Sequence, residues 1–346
     1  MRPFLPALVP PLTLLAAAVL FLSASPSREE PAPSPAPEPS PPRWTGGPDP
    51  LKLPGDLPAI GNQHGDVAVS ENGDIYVSVM QGLRAGVQVY SADGTYLRNV
   101  PNAPNDFHGF VIHKGPEGEF LYGPQLGAGK IVKLALDGAV ALTIPGESIP
   151  QRYWATNPKS QKAALRLTGC AVAPNGDLFV TDGYASDYVH RFDAKGTYLA
   201  SFGGKAAPYH FKTLHKIAID TRFDPPRLVG TDRANDRVVH LSLEGELIGE
   251  IATGLLFPAA AVVQGDLLAV GEIKGRVSLF DRENRVVARL GENPDSTLVG
   301  TNKIEPSQWK KGVVNAPHGV AFNAAGDLFV SEYSLHGRVL KFVREK

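Results

Sequence analysis

Three short stretches of this 346-residue chain place a histidine directly before an alternating apolar segment: "HGFVI" from His108, "HKIAI" from His215 and "HGVAF" from His318. Three neutral imidazoles brought to one point would hold a divalent cation with a fourth position open to water or substrate, the arrangement of a catalytic zinc. Two other side chains have matching chemistry. Tyr184, in "TDGYASD", serves as a base if its pKa is lowered near a cation, and Arg233, in "TDRANDR", carries a fork shaped for a carboxylate. Each also has a plainer role: the histidines as strand-turn caps, Tyr184 as a bond to the blade face, Arg233 as an ion-pair partner of Asp232 or Asp236. Asp182 and Asp232 read as acceptors for turn backbone. His64 stands one residue before the position equivalent to the three histidines, so its side chain is expected to point elsewhere. His113, His190, His210, His240 and His336 fall in turns, outer strands or loops.

The elements that must position these residues repeat. First strands read "GDVAV" from Gly65, "HGFVI" from His108, "TGCAV" from Thr168, "HKIAI" from His215, "PAAAV" from Pro258 and "HGVAF" from His318. Each is followed by a turn and a second strand, as in "NGDLFVTD" and "AGDLFVSE", then a third such as "YVHRFD", and in most units an outer strand such as "GTYLASF". The starts are separated by 43, 60, 47, 43 and 60 residues, a propeller-blade period with two insertions. The expectation is an all-β, six-bladed β-propeller, because one such meander cannot bury both faces whereas a closed ring covers them all. Histidine heads units two, four and six, and Gly65, Thr168 and Pro258 (or Phe257) head the others. Alternate blades would bring three imidazoles to the axis with three-fold symmetry. The last unit ends without an outer strand, which "LKLPGDLPAI", just before Gly61, is expected to supply. The insertions around "IPQRYWATNPKSQ" and "STLVGTNKIEPSQWKKG" carry Trp154 and Trp309 and suit a lid or rim, or a surface for a protein partner.

Composition narrows the function. The 34 basic and 35 acidic residues leave no excess for a nucleic-acid surface. A single cysteine, Cys170, excludes an internal disulfide and a thiolate zinc site, so a metal must be held by histidine or oxygen. Residues 1–25, one arginine followed by an apolar run, have the layout of an export signal or a membrane anchor. Residues 26–50 are proline-rich and read as an extended disordered linker, leaving 51–346 for the propeller. The expected location is periplasmic or extracellular, with the N-terminal segment as a possible membrane tether.

The "Asn/Ala-Gly-Asp-Leu-Phe-Val" core of the units resembles NHL-repeat propellers over roughly residues 61–346. The segments "HGFVI", "VTDGYASDYVHRFDAKGTYLASFG", "HKIAI", "TDRANDR" and "PHGVAF" resemble, more narrowly, the peptidylglycine α-amidating lyase group. That resemblance implies a six-bladed propeller with zinc on His108, His215 and His318, Tyr184 as base and Arg233 on a substrate carboxylate. The group's first-blade arginine would fall near Met80, where the nearest candidate is Arg84, four residues on. Gly319 stands where calcium-binding members have an aspartate, so no calcium site of that kind is expected. Disulfides of the animal members cannot form here. The expected function is an exported zinc-dependent lyase cleaving a carbon–nitrogen bond in a small or peptide substrate that bears a hydroxyl and a carboxylate. The rival from another class is a non-enzymatic binding scaffold. A lactonase-like hydrolase would need an axial set of Asp, Asn and Glu, which the sequence lacks.

Overall fold

Alternation of apolar and polar residues, punctuated by turns such as Asn-Gly-Asp, folds each repeat into an antiparallel meander. The computed structural model describes residues 42–156 and 163–345. The expected signal or anchor over 1–25, and the linker as far as residue 41, lie outside the described residues. Six four-stranded sheets span 67–99, 111–144, 169–203, 214–252, 258–290 and, for the sixth, 317–344 together with Trp44–Gly46. They are called blades 1 to 6. In the first five, strand order from axis to rim follows the chain. Blade 3 is representative: Gly169–Val172 pairs with Leu178–Thr181, which pairs with Tyr188–Phe192, which pairs with Tyr198–Gly203. The chain is thus a six-bladed β-propeller.

Stability resides between the blades. Each of six apolar clusters joins two neighbours; Phe107, Phe110 and Leu121, for example, fill the seam between blades 1 and 2 with Val87 and Val89, and Phe179, Phe211 and Leu228 fill that between blades 3 and 4. Burying both faces of every sheet this way draws on the roughly 25 cal/mol per Å² gained from apolar area.

Blade 6 closes the ring differently from the expectation. Its outer strand is Trp44–Gly46, paired antiparallel with Val339–Arg344 through Trp44↔Arg344, Thr45↔Val343 and Gly46↔Phe342. The segment 51–60 instead crosses the seam between blades 6 and 1, with Leu51, Leu53 and Ile60 packed on the cluster there. Pro54 and Pro58 each remove one N–H donor from that segment, whereas Trp44–Gly46 contains no proline. Residues 44–46 fall within the 26–50 segment read as linker, so its C-terminal part is structured. The two long steps are insertions after blades 2 and 5, each containing short 3₁₀ turns. Among the described residues no helix is long and apolar enough to cross a membrane.

Candidate metal centre and substrate cavity

His108, in the loop before the innermost strand of blade 2, and His215 and His318, each the second residue of the innermost strand of blades 4 and 6, meet at the axis, where all three are fully buried. Their ring centroids lie 4.6 Å (His108–His318), 4.8 Å (His108–His215) and 5.0 Å (His215–His318) apart. His108 Nδ1 faces the Thr168 carbonyl at 2.7 Å and His215 Nδ1 that of Ala259 at 2.6 Å. His318 Nδ1 lies 3.3 Å from the Gly65 carbonyl. A carbonyl only accepts, so the proton of His108 and of His215 sits on Nδ1 and leaves Nε2 a bare lone pair. These Nε2 atoms converge: His108 and His318 approach to 3.2 Å, and Tyr184 Oη lies 3.1 Å from His108 Nε2 and 3.0 Å from His215 Nε2. One phenol proton cannot satisfy all these lone pairs, and a cation would. Burial holds all three histidines well below the usual histidine range, so they are neutral, as metal ligands must be.

His64 corrects the sequence reading. Its ring lies 4.7 Å from His108 and 4.8 Å from His318, and a nitrogen from each of the three can be found within 4.8 Å of the others, so His64, His108 and His318 also form a set that could hold a metal. Gly65, at the equivalent head position, has no side chain and its flank is filled by Ser78, so the residue before it turns to the axis. Burial, followed by the charges of Lys216 and Arg233, pushes His64 down to about 4. His64 is half-buried and belongs to the cavity wall, whereas His215 is held in the buried cluster by its ring contacts and by Tyr184.

A repeated device fixes the loops. At the end of the second strand, Asp182, Asp232, Glu272 and Glu332 accept the backbone N–H of Arg166, Lys212, Leu256 and Asn315, at 2.6, 2.8, 2.5 and 2.5 Å. Asp182 and Asp232 are therefore backbone acceptors, as their turns suggest. Just beyond each carboxylate stand Tyr184, Arg233, Ile273 and Tyr333, whose N–H groups bond back to Arg166, Thr213, Phe257 and Ala316. These four residues, with His64, Phe257, Lys274, Ser296, Val299 and Gly300, line a cavity of about 490 Å³ beside the histidines. The register shared with Arg233 was the sequence signal for Ile273 and Tyr333. Ser296, Val299 and Gly300 come from the second insertion, which thus forms cavity rim, while its Trp309 packs near Arg338.

Arg233 Nη1 donates to Tyr184 Oη at 3.2 Å, with no carboxylate among the described residues in ion-pair range, so the pairing with Asp232 or Asp236 does not occur; Asp232 binds Arg237 instead. Burial pushes the Tyr184 phenol up, with Arg233 pulling the other way, so this tyrosine carries its proton. Arg84 is not brought to the site. It forms an ion pair with Asp56 at 2.8 Å and lies over the Tyr96 ring, on the side of blade 1. Below the histidines, the buried Lys216 ammonium binds Asp66 and donates to the His318 carbonyl at 2.8 Å. Gly319 leaves room for Asp66, on which any Cβ at that position would intrude.

No family model matches the chain. Two curated relatives do: a probable peptidyl-alpha-hydroxyglycine alpha-amidating lyase of Caenorhabditis elegans, 30% identical over 187 residues (50% of this chain, 48% of the relative), and peptidyl-alpha-hydroxyglycine alpha-amidating lyase 1 of Drosophila melanogaster, 26% identical over 238 residues (60% and 39%). Each match spans less than half of the relative's length. Among solved structures, a streptogramin B lyase superposes with a TM-score of 0.56 at 16% identity, covering 87% of this chain and 98% of that one. A Bacteroides thetaiotaomicron protein of unknown function gives 0.60 at 14%, covering 88% and 76%. At such identities the structures share the fold alone. The likeness to the amidating lyases, read first from the segments around His108, Tyr184, His215, Arg233 and His318, is thus also found by direct comparison with two animal proteins that carry that name.

Proposed function

We propose that the protein is an exported, zinc-dependent, lyase-like enzyme that breaks the carbon–nitrogen bond of a small N-acyl-α-hydroxyglycine-type compound. What carries this reading is the convergence of the imidazole Nε2 atoms on Tyr184 Oη beside a cavity whose cations lack counter-ions. The 3.2 Å between His108 and His318 Nε2 matches the separation of about 3.3 Å between two nitrogens on a tetrahedral zinc. His108, His215 and His318 would hold the ion, with His64 beside the open position. When bound, zinc would supply Lewis-acid polarisation of the substrate's hydroxyl oxygen.

The residues of the chain do the rest. Arg233 orients the carboxylate and keeps a positive charge against the phenol. Tyr184 Oη accepts the hydroxyl proton while its own proton goes to the departing nitrogen. The hydroxyl carbon becomes the aldehyde carbon of glyoxylate, the nitrogen leaves as an amide, and the phenol ends as it began. A phenol that keeps its proton suits this relay better than the free base that the sequence suggests. Ile273, Val299 and Tyr333 give the acyl group an apolar wall. Export rests on the N-terminal sequence pattern, and a membrane tether through it is part of the same proposal.

A scaffold would present one apolar patch. Among the described residues, five of the eight exposed large apolar side chains, Leu97, Val140, Leu199, Ile248 and Val286, are instead spread around the rim, one on each outer strand of blades 1 to 5, while Leu83, Leu335 and Val343 lie elsewhere. The test is turnover of N-benzoyl-α-hydroxyglycine to benzamide and glyoxylate by the zinc-loaded chain. Tyr184→Phe should lower kcat by about 10²–10⁴ with zinc content unchanged. Full turnover in that variant removes Tyr184 from the chemistry, and no turnover in the wild type removes this substrate class.

A further inference from the structure

The cavity wall carries two cations, Arg233 and Lys274, while Arg84 is bound elsewhere. We infer that Lys274 clasps the substrate carboxylate together with Arg233 across the ring of Phe257. This inference rests on the carboxylate-bearing substrate proposed above.

Among the described residues the cavity wall carries no aspartate or glutamate. Arg233 and Lys274 are its only lysine or arginine residues, and among the described residues neither has a carboxylate within 4.0 Å. Arg233 spends one N–H on Tyr184, and its Nε is buried with no partner. Lys274 is exposed at the cavity mouth and Arg233 lies deeper with a buried, unpartnered Nε, so both charges would attract an anion that enters.

Both cations lie against one ring. The Arg233 guanidinium carbon is 5.2 Å and Lys274 Nζ 4.9 Å from the Phe257 centroid. Phe257 has φ 65°, a left-handed backbone that an aromatic residue seldom adopts. Two backbone bonds hold it there: Ile273 N–H to the Phe257 carbonyl at 3.0 Å, and Lys274 N–H to the Leu256 carbonyl at 3.2 Å. The loop that presents Phe257 is therefore tied to the residue that presents Lys274, and strain of this kind persists where the surroundings fix a functional geometry. Blade 5, which brings no histidine to the axis, supplies the aromatic platform and the second charge.

Calorimetric titration of the zinc-loaded full chain with N-benzoylglycine, an unreactive carboxylate, and with its neutral amide N-benzoylglycinamide tests this. Wild type should prefer the acid. Lys274→Met should weaken acid binding by roughly tenfold or more, as loss of one charge-assisted contact does, and leave amide binding unchanged. Lys274→Arg should restore most of the preference. Equal acid affinity in wild type and Lys274→Met, equal weakening of both ligands, or a wild type that ignores the acid overturns the inference. A wild type that converts N-benzoyl-α-hydroxyglycine while Lys274→Met behaves identically sinks Lys274 alone. One that binds the acid through Lys274 without any turnover sinks the lyase reading alone.

Discussion

Even and odd blades are built from one repeat and end differently at the axis. Blades 2, 4 and 6 deliver the imidazoles of His108, His215 and His318, while blades 3, 5 and 1 deliver the carbonyls of Thr168, Ala259 and Gly65 that face their Nδ1 atoms. Each even-blade ring is thus oriented by the next blade around the ring, which is how outer partners fix a metal-binding imidazole. In blade 5 the position equivalent to His215 is Ala259 rather than Pro258 or Phe257, since Pro258 pairs with Glu272 as Leu214 pairs with Asp232. A carbonyl is present whatever the residue, so threonine, alanine and glycine serve one purpose. The alternation of histidine in the sequence is one half of a pairing whose other half lies in the main chain.

The largest effect should come from breaking that asymmetry. His108→Ala should lose bound zinc after dialysis, whereas Thr168→Val, which keeps the carbonyl, should keep zinc near the wild-type level. The valine should cost about 1 kcal/mol of stability for the bonds of the Thr168 hydroxyl to Thr181 and Gly183. Elemental analysis decides: a Thr168→Val protein as empty as His108→Ala would mean that the threonine side chain, rather than its carbonyl, serves the site.

One side-chain pair crosses between the two sets. Lys216 of blade 4 reaches Asp66 beside blade 1, and both are buried under the histidines. Burial is the leading influence on each, raising the Asp66 carboxyl and lowering the Lys216 ammonium, with their mutual attraction opposing it. Lys216→Met leaves a lone buried carboxylate and should cost about 3–5 kcal/mol in urea unfolding, while Lys216→Met/Asp66→Asn should recover a large part. A loss below about 1 kcal/mol in the single variant would show that the pair does not hold the blades together.

Much of this was legible in the sequence because it repeats. The strand pattern carried the six blades, and alternation singled out His108, His215 and His318. Tyr184 and Arg233 stood out by register with the ends of second strands. What failed was whatever depends on one local departure. His64 reaches the cluster because Gly65 leaves the head position empty. Trp44–Gly46 closes the ring, while the longer candidate, 51–60, packs Leu51, Leu53 and Ile60 into the seam between blades 6 and 1. Lys274 follows Ile273, a residue whose register matches Arg233, yet its meaning depends on the Phe257 ring, and a left-handed phenylalanine has no sequence signature. Arg84 was drawn in by closeness along the chain to Met80, and Asp56, distant in sequence, holds it away.

The smallest effect concerns a feature indifferent to parity. The carboxylates that hold the approach loops occur in blades 3 to 6 alike, so they belong to the scaffold of even and odd blades equally. Glu332 stands beside the loop to His318, and burial pushes it up to about 7, against the pull of Arg338 and the Asn315 N–H. A carboxyl whose folded pKa exceeds its unfolded value of about 4.5 stabilises the fold fully below the unfolded value, and that contribution disappears as pH rises through the folded one. Between pH 5 and 8 this group alone should remove roughly 2–3 kcal/mol from the wild type. Glu332→Gln keeps an acceptor for Asn315 and cannot titrate, so its stability should fall less over that interval. Denaturant midpoints at the two pH values give the difference directly. Parallel losses in wild type and variant would mean that Glu332 is ionised throughout, with Arg338 outweighing burial, and that the loop beneath His318 is held by an ion pair rather than by a neutral acid.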